Sequence, residues 1–124
     1  NINDKNIIVK DFIERMDLAY NVSDIIISRA GAIAISELCV VAKPLILVPS
    51  PNVVDDHQTK NANAISEKGG CILIKDSEAK DIMIKTAFEL FENQNKMEIM
   101  KNSLSKLASP NATKKIINKI YEII

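Results

Sequence analysis

The clearest candidate for chemistry is the stretch SRAGAIAISE at positions 28–37, in which Glu37 follows Gly31 by six residues. Gly31 stands at the predicted start of a helix, where free backbone N–H groups and the positive end of the helix dipole favour a phosphate. Six helical residues rise about 9 Å, and helical side chains lean toward the N-terminus, so Glu37 could accept hydrogen bonds from both hydroxyls of a ribose. The alternative is a glutamate at the exposed edge of a buried helix, and spacing alone leaves both interpretations open.

A second group of polar residues lies in the segment PSPNVVDDHQTKN at positions 49–61. His57 is the sole histidine of the chain, and a histidine without further ligands nearby does not favour a metal site. Asp55 or Asp56 is predicted to cap the helix that follows. Gln58 and Asn61 share one face of that helix, and their amides both donate and accept hydrogen bonds, which suits the recognition of sugar hydroxyls. Solvated polar residues are the alternative.

Short β-branched runs alternate with longer helical patterns along the chain. Strands are predicted at 6–12, 24–28, 44–49 and 71–74, and helices at 14–22, 31–42, 56–69, 77–93, 95–107 and 110–124. Ser77 is predicted to cap the fourth helix, and Gly69 and Gly70 to close the third. The runs IIIS, LILV and CILI are continuously apolar, which is typical of parallel strands covered on both faces. The predicted fold is therefore α/β, a Rossmann-like parallel sheet flanked by helices, and its ligands are expected at the carboxyl ends of the strands.

The composition excludes several classes of protein. The chain has 124 residues, of which 47% are hydrophobic and 26% charged, as in one globular domain and unlike a disordered chain. Its formal net charge is zero, so no broad attraction to nucleic acid is predicted. Cys39 and Cys71 lie in apolar runs without CxxC spacing, which favours buried free thiols. No apolar run reaches the roughly 18 residues of a membrane span.

The combined motifs resemble the MurG family of glycosyltransferases. The resemblance rests on DIIISRAGAIAISELCVVAKPLILVPSP followed by DDHQTKNANAISEKGG, and it is closest between Phe12 and Gly70. Members of this family transfer N-acetylglucosamine (GlcNAc) from UDP-GlcNAc to lipid I, which yields lipid II for peptidoglycan. The resemblance implies a GT-B fold, in which a C-terminal half binds the UDP-sugar and an N-terminal half binds the lipid acceptor at the membrane.

The resemblance also implies contacts to the donor. The backbone near Ile13 would face the uracil, and Glu37 would bind the ribose hydroxyls. The residues that would line the nucleotide follow Gly31, and they are Ala32, Ile33, Ala34, Ile35, Ser36 and Glu37. Gln58, together with His57, would contact the GlcNAc hydroxyls, with Asn61 on the same helix. Many relatives carry two glutamines where this chain has His57 and Gln58, so the implied role of position 57 is the weaker one.

Several parts of the family pattern have no counterpart in the sequence. These are the glycine-rich N-terminal motif, whose histidine is the usual candidate for the base, and the glycine-serine phosphate loop. Residues 1–124 are therefore expected to form a distal part of the donor-binding domain, which contains no catalytic residue and is inactive by itself. No metal or cofactor is predicted, and helix N-terminal amides would meet the charge of the diphosphate.

The last predicted helix and the family resemblance bear on location. Residues 110–124 place an apolar stripe opposite lysines, a pattern that suits an anionic membrane surface, although core packing is favoured. The resemblance implies peripheral membrane contact at the cytoplasmic face of a bacterial membrane, and a part in cell-wall biogenesis, cell shape and cell division. Two alternatives are a GT-B-fold UDP-GlcNAc 2-epimerase or hydrolase, against which DHQTKNA argues, and a non-catalytic GT-B-like subunit.

Overall fold

A computed structural model describes residues 4–51 and 57–108 of the chain. Its elements are, in chain order, α1 (Met16–Val22), β1 (Ile26–Ser28), α2 (Ala32–Val41), β2 (Leu45–Leu47), α3 (His57–Glu67), β3 (Ile72–Leu73), α4 (Asp76–Phe91) and α5 (Gln94–Leu107). Within these residues the strands form one parallel sheet in the order β1-β2-β3. The predicted class, a parallel sheet flanked by helices, is confirmed.

The central strand β2 is buried on both of its faces. Leu45 and Leu47 pack into a cluster with residues of α2 and α3, whereas Ile46 packs into a second cluster with residues of α4 and α5. All three side chains are at most 1% exposed. Because alternate residues of a strand point to opposite faces, a strand that is covered on both sides needs an uninterrupted apolar run. The interpretation of LILV is confirmed.

The two cysteines belong to the first of these clusters. Cys39 and Cys71 are free and buried, as predicted. Burial raises the pKa of both thiols, and together with a smaller effect of Cys39 it raises the pKa of Cys71 to about 12. Both thiols therefore stay protonated at neutral pH, and they contribute to the core by packing.

The first predicted strand is wrong. Residues 6–12 form no strand, and α1 begins at Met16 instead of position 14. Ile8, Val9 and Phe12 are 79%, 73% and 77% exposed. A strand depends on hydrogen bonds to a neighbouring strand, and among the described residues β1 pairs with β2 alone. A β-branched composition without a pairing partner does not produce a strand.

The start of α4 also differs from the prediction. The helix begins at Asp76, and Lys75 occupies the N-cap position, so Ser77 is not the cap. Asp76 and Glu78 lie in the first turn, where negative charge interacts favourably with the helix dipole. The two carboxylates therefore stabilise the start of α4, which the prediction had assigned to the Ser77 hydroxyl.

The remaining predictions for helices have mixed outcomes. Gly69 has a positive φ of 80° just beyond α3, which confirms that a glycine turn closes this helix. The predicted caps Asp55 and Asp56 and the helix at 110–124 lie outside the described residues. Within the described part of the chain, each helix is too short or too polar to cross a membrane.

Candidate functional site

Two side chains of α3 form hydrogen bonds to the loops that follow β1 and β2. Oε1 of Gln58 accepts a hydrogen bond from the Ala30 N–H at 3.2 Å and another from the Ser50 N–H at 2.8 Å. Nδ2 of Asn61 donates to the Ala30 carbonyl at 3.2 Å. We call this region the polar edge, and it comprises residues 29–31 and 48–50 with Gln58 and Asn61. The two amides predicted to read a sugar therefore also brace the backbone of the loops.

The orientation of the Gln58 amide follows from its partners. Both partners are N–H donors, so the amide oxygen must face the loops and Nε2 must point the other way. A Cβ placed on Gly31 would lie 3.9 Å from Nε2, so this N–H₂ group stands beside the start of α2. The hydrogen bonds of Gln58 to the described residues all use Oε1. Its donor side is thus directed toward the place where the sequence predicts a phosphate.

The start of α2 has the properties of an anion site. Gly31 is the N-cap with φ −66° and ψ 150°, and no side chain among the described residues caps the helix. The helix bond from the Ile35 N–H to the Gly31 carbonyl is 2.9 Å long, and the N–H groups before Ile35 have no earlier carbonyl within the helix. Ala32 and Ile33 are exposed, and the first turn contains no acidic residue. Among the described residues, no side chain therefore offsets the positive end of this helix.

Arg29 is a contributor to the polar edge that the sequence analysis missed. Its Nη1 donates to the carbonyls of Val48 and Pro49 at 3.3 and 3.4 Å, and it forms an ion pair with Asp76 at 2.5 Å. One guanidinium therefore ties together the loops after β1 and β2 and the start of α4. The available signal was a basic residue directly after β1 and an acidic residue three positions after the end of β3, because parallel strands end at the same edge.

Glu37 lies on α2 away from the polar edge, and its side chain is exposed. Its Oε2 accepts a hydrogen bond from the Tyr20 hydroxyl at 3.1 Å. The carboxylate lines a cavity of about 650 Å³ between α1 and α2, which we call the α1–α2 cavity. The residues that line it are Met16, Asp17, Tyr20, Asn21, Ser36, Glu37, Val40, Val41 and Lys43.

The other residues predicted to line the nucleotide have different surroundings. The Ile35 side chain is 7% exposed and packs in the core, so α2 can offer its backbone to a ligand at this position but not its side chain. Ser36 Oγ donates to the Ala32 carbonyl at 3.1 Å while also lining the α1–α2 cavity. Ala34 is half-buried against the first core cluster.

Ile13 and His57 stand apart from the Glu37 carboxylate. Ile13 is 40% exposed and lines a separate cavity of about 450 Å³ beside α1, together with Phe12 and Leu18. His57 is the exposed first residue of α3, next to Gln58. The structure thus brings Gly31, Gln58 and Asn61 together and places Ile13 and Glu37 in two other pockets.

Within residues 4–51 and 57–108, no three His, Cys, Asp or Glu side chains are grouped so that they could hold a metal ion.

The sequence and the structure of the chain are similar to those of known transferases. The glycosyltransferase family 28 C-terminal domain matches residues 1–119. The chain is 49% identical over 122 residues to the UDP-N-acetylglucosamine--N-acetylmuramyl-(pentapeptide) pyrophosphoryl-undecaprenol N-acetylglucosamine transferase of Cytophaga hutchinsonii, with 98% of this chain and 33% of that protein covered. The protein of the same name in Flavobacterium psychrophilum is 48% identical over 121 residues, with 97% and 33% covered. The chain thus spans about a third of the length of these curated relatives.

A solved structure extends this similarity to the fold. The crystal structure of MurG from Acinetobacter baumannii matches with a TM-score of 0.72 and 32% sequence identity, and the match covers 90% of this chain and 32% of that one. The predicted resemblance is confirmed, and the two curated relatives are named as transferases and not as epimerases.

Proposed function

The chain belongs to the glycosyltransferase family 28 C-terminal domain family, and from this premise we propose that it is the donor-binding part of a UDP-GlcNAc-dependent hexosyltransferase. The complete enzyme would move GlcNAc from UDP-GlcNAc to lipid I and so produce lipid II for peptidoglycan. One observation carries the proposal: the start of α2, which no described side chain caps, stands beside the N–H₂ group of Gln58. A nucleotide-sugar presents a diphosphate between two hydroxyl-rich groups, and this arrangement offers donors for both kinds of oxygen.

The diphosphate would bind at the first turn of α2. The N–H groups of Ala32, Ile33 and Ala34 point out of the helix start, and the helix dipole places partial positive charge there. Negative charge grows on the diphosphate as the bond to the sugar breaks, so fixed donors at this position stabilise the transition state more than the ground state. Gly31 adds no side chain between these groups and the ligand. This part of the chain would therefore assist the departure of UDP.

The two ends of the donor would meet different residues. Glu37 would accept hydrogen bonds from the ribose hydroxyls, and the N–H₂ group of Gln58 would donate to a GlcNAc hydroxyl. His57 and Asn61 flank Gln58 on α3 and would line the same sugar pocket. The backbone near Ile13 would face the uracil once the ligand bridges the two cavities. The acceptor-binding site and the catalytic base would come from another part of the enzyme.

The proposal extends to location and physiology. The acceptor is a lipid, so the enzyme would work in peripheral contact with the bacterial membrane, at its cytoplasmic face. Its product would serve cell-wall biogenesis and, through it, cell shape and division. Nucleic acid is not a proposed partner, because the formal net charge is zero.

The proposal is tested with a hybrid enzyme. The chain replaces the matching third of the Cytophaga hutchinsonii relative, to which it is 49% identical. The hybrid is expected to transfer GlcNAc from UDP-GlcNAc to a lipid I analogue, whereas the chain by itself yields no lipid II. A well-folded hybrid that hydrolyses or epimerises UDP-GlcNAc without transfer would contradict the proposal. Turnover by the chain alone would show that it is not merely the donor-binding part.

A further inference from the structure

Tyr20 holds the carboxylate of Glu37 from the opposite wall of the α1–α2 cavity. Its ring packs against the core cluster that contains Ile35 and Leu38, while its hydroxyl reaches out and donates to Glu37 Oε2 at 3.1 Å. The side chain of an exposed glutamate has many rotamers, and a ligand that fixes one of them loses conformational entropy. Because the ring is packed against the core, its hydroxyl restricts those rotamers before any ligand arrives.

We propose that Tyr20 is a positioning residue that presents Glu37 to the ribose of the UDP-sugar, an inference that rests on the proposed function. An ionised carboxylate has two oxygens with about four acceptor sites. Tyr20 uses one of these sites on Oε2, so enough remain for both ribose hydroxyls. The bond also sets the plane of the carboxylate, and hydrogen-bond strength depends on direction as well as distance.

The protonation of Tyr20 is consistent with this role. Burial, and to a smaller extent the neighbouring Glu37, raises the pKa of Tyr20 above its ordinary value of 10.0. The hydroxyl therefore remains a neutral donor throughout the physiological range. Asp17 on α1 also faces the cavity, but it does not hold Glu37. Its carboxylate forms an exposed ion pair with Arg15 at 2.8 Å. Tyr20 is thus the cavity residue whose donor is committed to Glu37.

The position of α1 does not depend on the Tyr20 hydroxyl alone. Lys43 Nζ donates to the Asn21 carbonyl at 3.3 Å, which ties α1 to the segment after α2. Ser23 Oγ donates to the Ala19 carbonyl at 2.7 Å at the end of the same helix. Loss of the Tyr20 hydroxyl should therefore release the carboxylate while α1 stays in place, because the phenyl ring of Tyr20→Phe keeps the packing.

The test is a set of calorimetric titrations of the full chain with UDP and with 2′,3′-dideoxy-UDP, which lacks the ribose hydroxyls. Tyr20→Phe is expected to weaken UDP binding about three- to tenfold, the usual effect of one lost hydrogen bond. It should leave dideoxy-UDP binding unchanged, and it should have no further effect in a Glu37→Gln background. Ser23→Ala is the matched control, because it removes a hydroxyl hydrogen bond from α1 without touching Glu37.

The possible outcomes separate the inference from the proposed function. Equal UDP affinities of wild type and Tyr20→Phe would overturn the inference. Equal losses for UDP and dideoxy-UDP would also overturn it, because Tyr20 would then support α1 instead of the ribose contact. If Glu37→Gln itself binds both nucleotides as the wild type does, the ribose contact in the proposed function fails, and Tyr20 has nothing to position. Thermal unfolding of each variant verifies that the titrations compare folded proteins.

Discussion

The polar edge and the α1–α2 cavity both belong to the candidate donor site, but they are built in different ways. At the polar edge, Gln58 and Asn61 make three hydrogen bonds to the backbone of two loops. Arg29 donates two further hydrogen bonds to backbone carbonyls of the loop after β2. In the α1–α2 cavity, Glu37 is held by the Tyr20 hydroxyl between apolar walls. Among the described residues, the polar edge is therefore preorganised for a ligand by many contacts, whereas the Glu37 carboxylate is held by one. Preorganisation lowers the entropic cost of binding, so affinity should be lost differently in the two regions.

The largest expected effect on binding comes from the carboxylate in the cavity. In the hybrid transferase, Glu37→Gln should weaken the use of UDP-GlcNAc by about 1.5–3 kcal/mol, the usual contribution of a hydrogen bond to a charged group. Most of this loss should disappear with a donor that lacks ribose hydroxyls. The measurement is kcat/KM for the two donors. If the variant has unchanged donor kinetics, Glu37 does not contact the ribose and is a surface residue that pairs with Tyr20.

The next effect separates bracing from sugar recognition at the polar edge. Gln58→Ala removes the acceptor of the Ala30 and Ser50 N–H groups, so the free energy of unfolding should fall by about 1–3 kcal/mol and both UDP and UDP-GlcNAc should bind more weakly. Gln58→Glu is the matched variant, since it keeps an acceptor for both N–H groups and loses the outward donor. Its added negative charge beside the start of α2 should weaken both ligands, and the lost donor should weaken UDP-GlcNAc further than UDP. Unaltered stability of Gln58→Ala would show that the brace contributes little.

A third effect concerns the space above the start of α2. Alanine can adopt the φ of −66° found at Gly31, and its Cβ would make an ordinary contact of 3.9 Å with Gln58 Nε2. The free energy of unfolding of Gly31→Ala should therefore not fall, because such a replacement usually stabilises a protein by about 0.4–1 kcal/mol. The methyl group would nevertheless occupy the path of the diphosphate, so UDP should bind about tenfold more weakly, or about 1.4 kcal/mol. Wild-type affinity for UDP would place the diphosphate elsewhere.

The smallest effect should come from the ion pair at the rim of the polar edge. The side chains of Arg29 and Asp76 are 55% and 36% exposed, and pairs of this kind contribute about 0–1 kcal/mol. Chemical denaturation should show a loss of that size for Asp76→Asn, and less at high salt. A much larger loss would mean that Arg29, and not Gln58, is the main brace.

The fold could be predicted from the sequence because its signals are local. The continuous apolar runs around Leu45–Leu47 require burial on both faces, and this determines a parallel sheet covered by helices. The run at 6–12 shows the limit of such signals, because a strand also needs a neighbour that composition does not supply. The N-terminus of α2 was predictable for the same local reason, since Gly31 precedes a long apolar helix pattern.

The contacts that complete the candidate site could not be predicted, because they join residues far apart in the chain. Tyr20 and Glu37 are separated by 17 positions, and Arg29 and Asp76 by 47. The spacing of Gln58 and Asn61 correctly placed both on one helix. It did not reveal that the Gln58 oxygen faces two backbone N–H groups, which depends on how α3 packs against the sheet.

The most direct test of the proposed donor site is a crystal structure of the chain with UDP. The diphosphate oxygens are expected about 3 Å from the N–H groups of the first turn of α2, the ordinary hydrogen-bond distance. Both ribose hydroxyls are expected to donate to Glu37 while Tyr20 keeps its bond to Oε2. A nucleotide bound elsewhere, for example in the pocket between Pro49 and Lys75, would contradict the assignment of α2 as the diphosphate site.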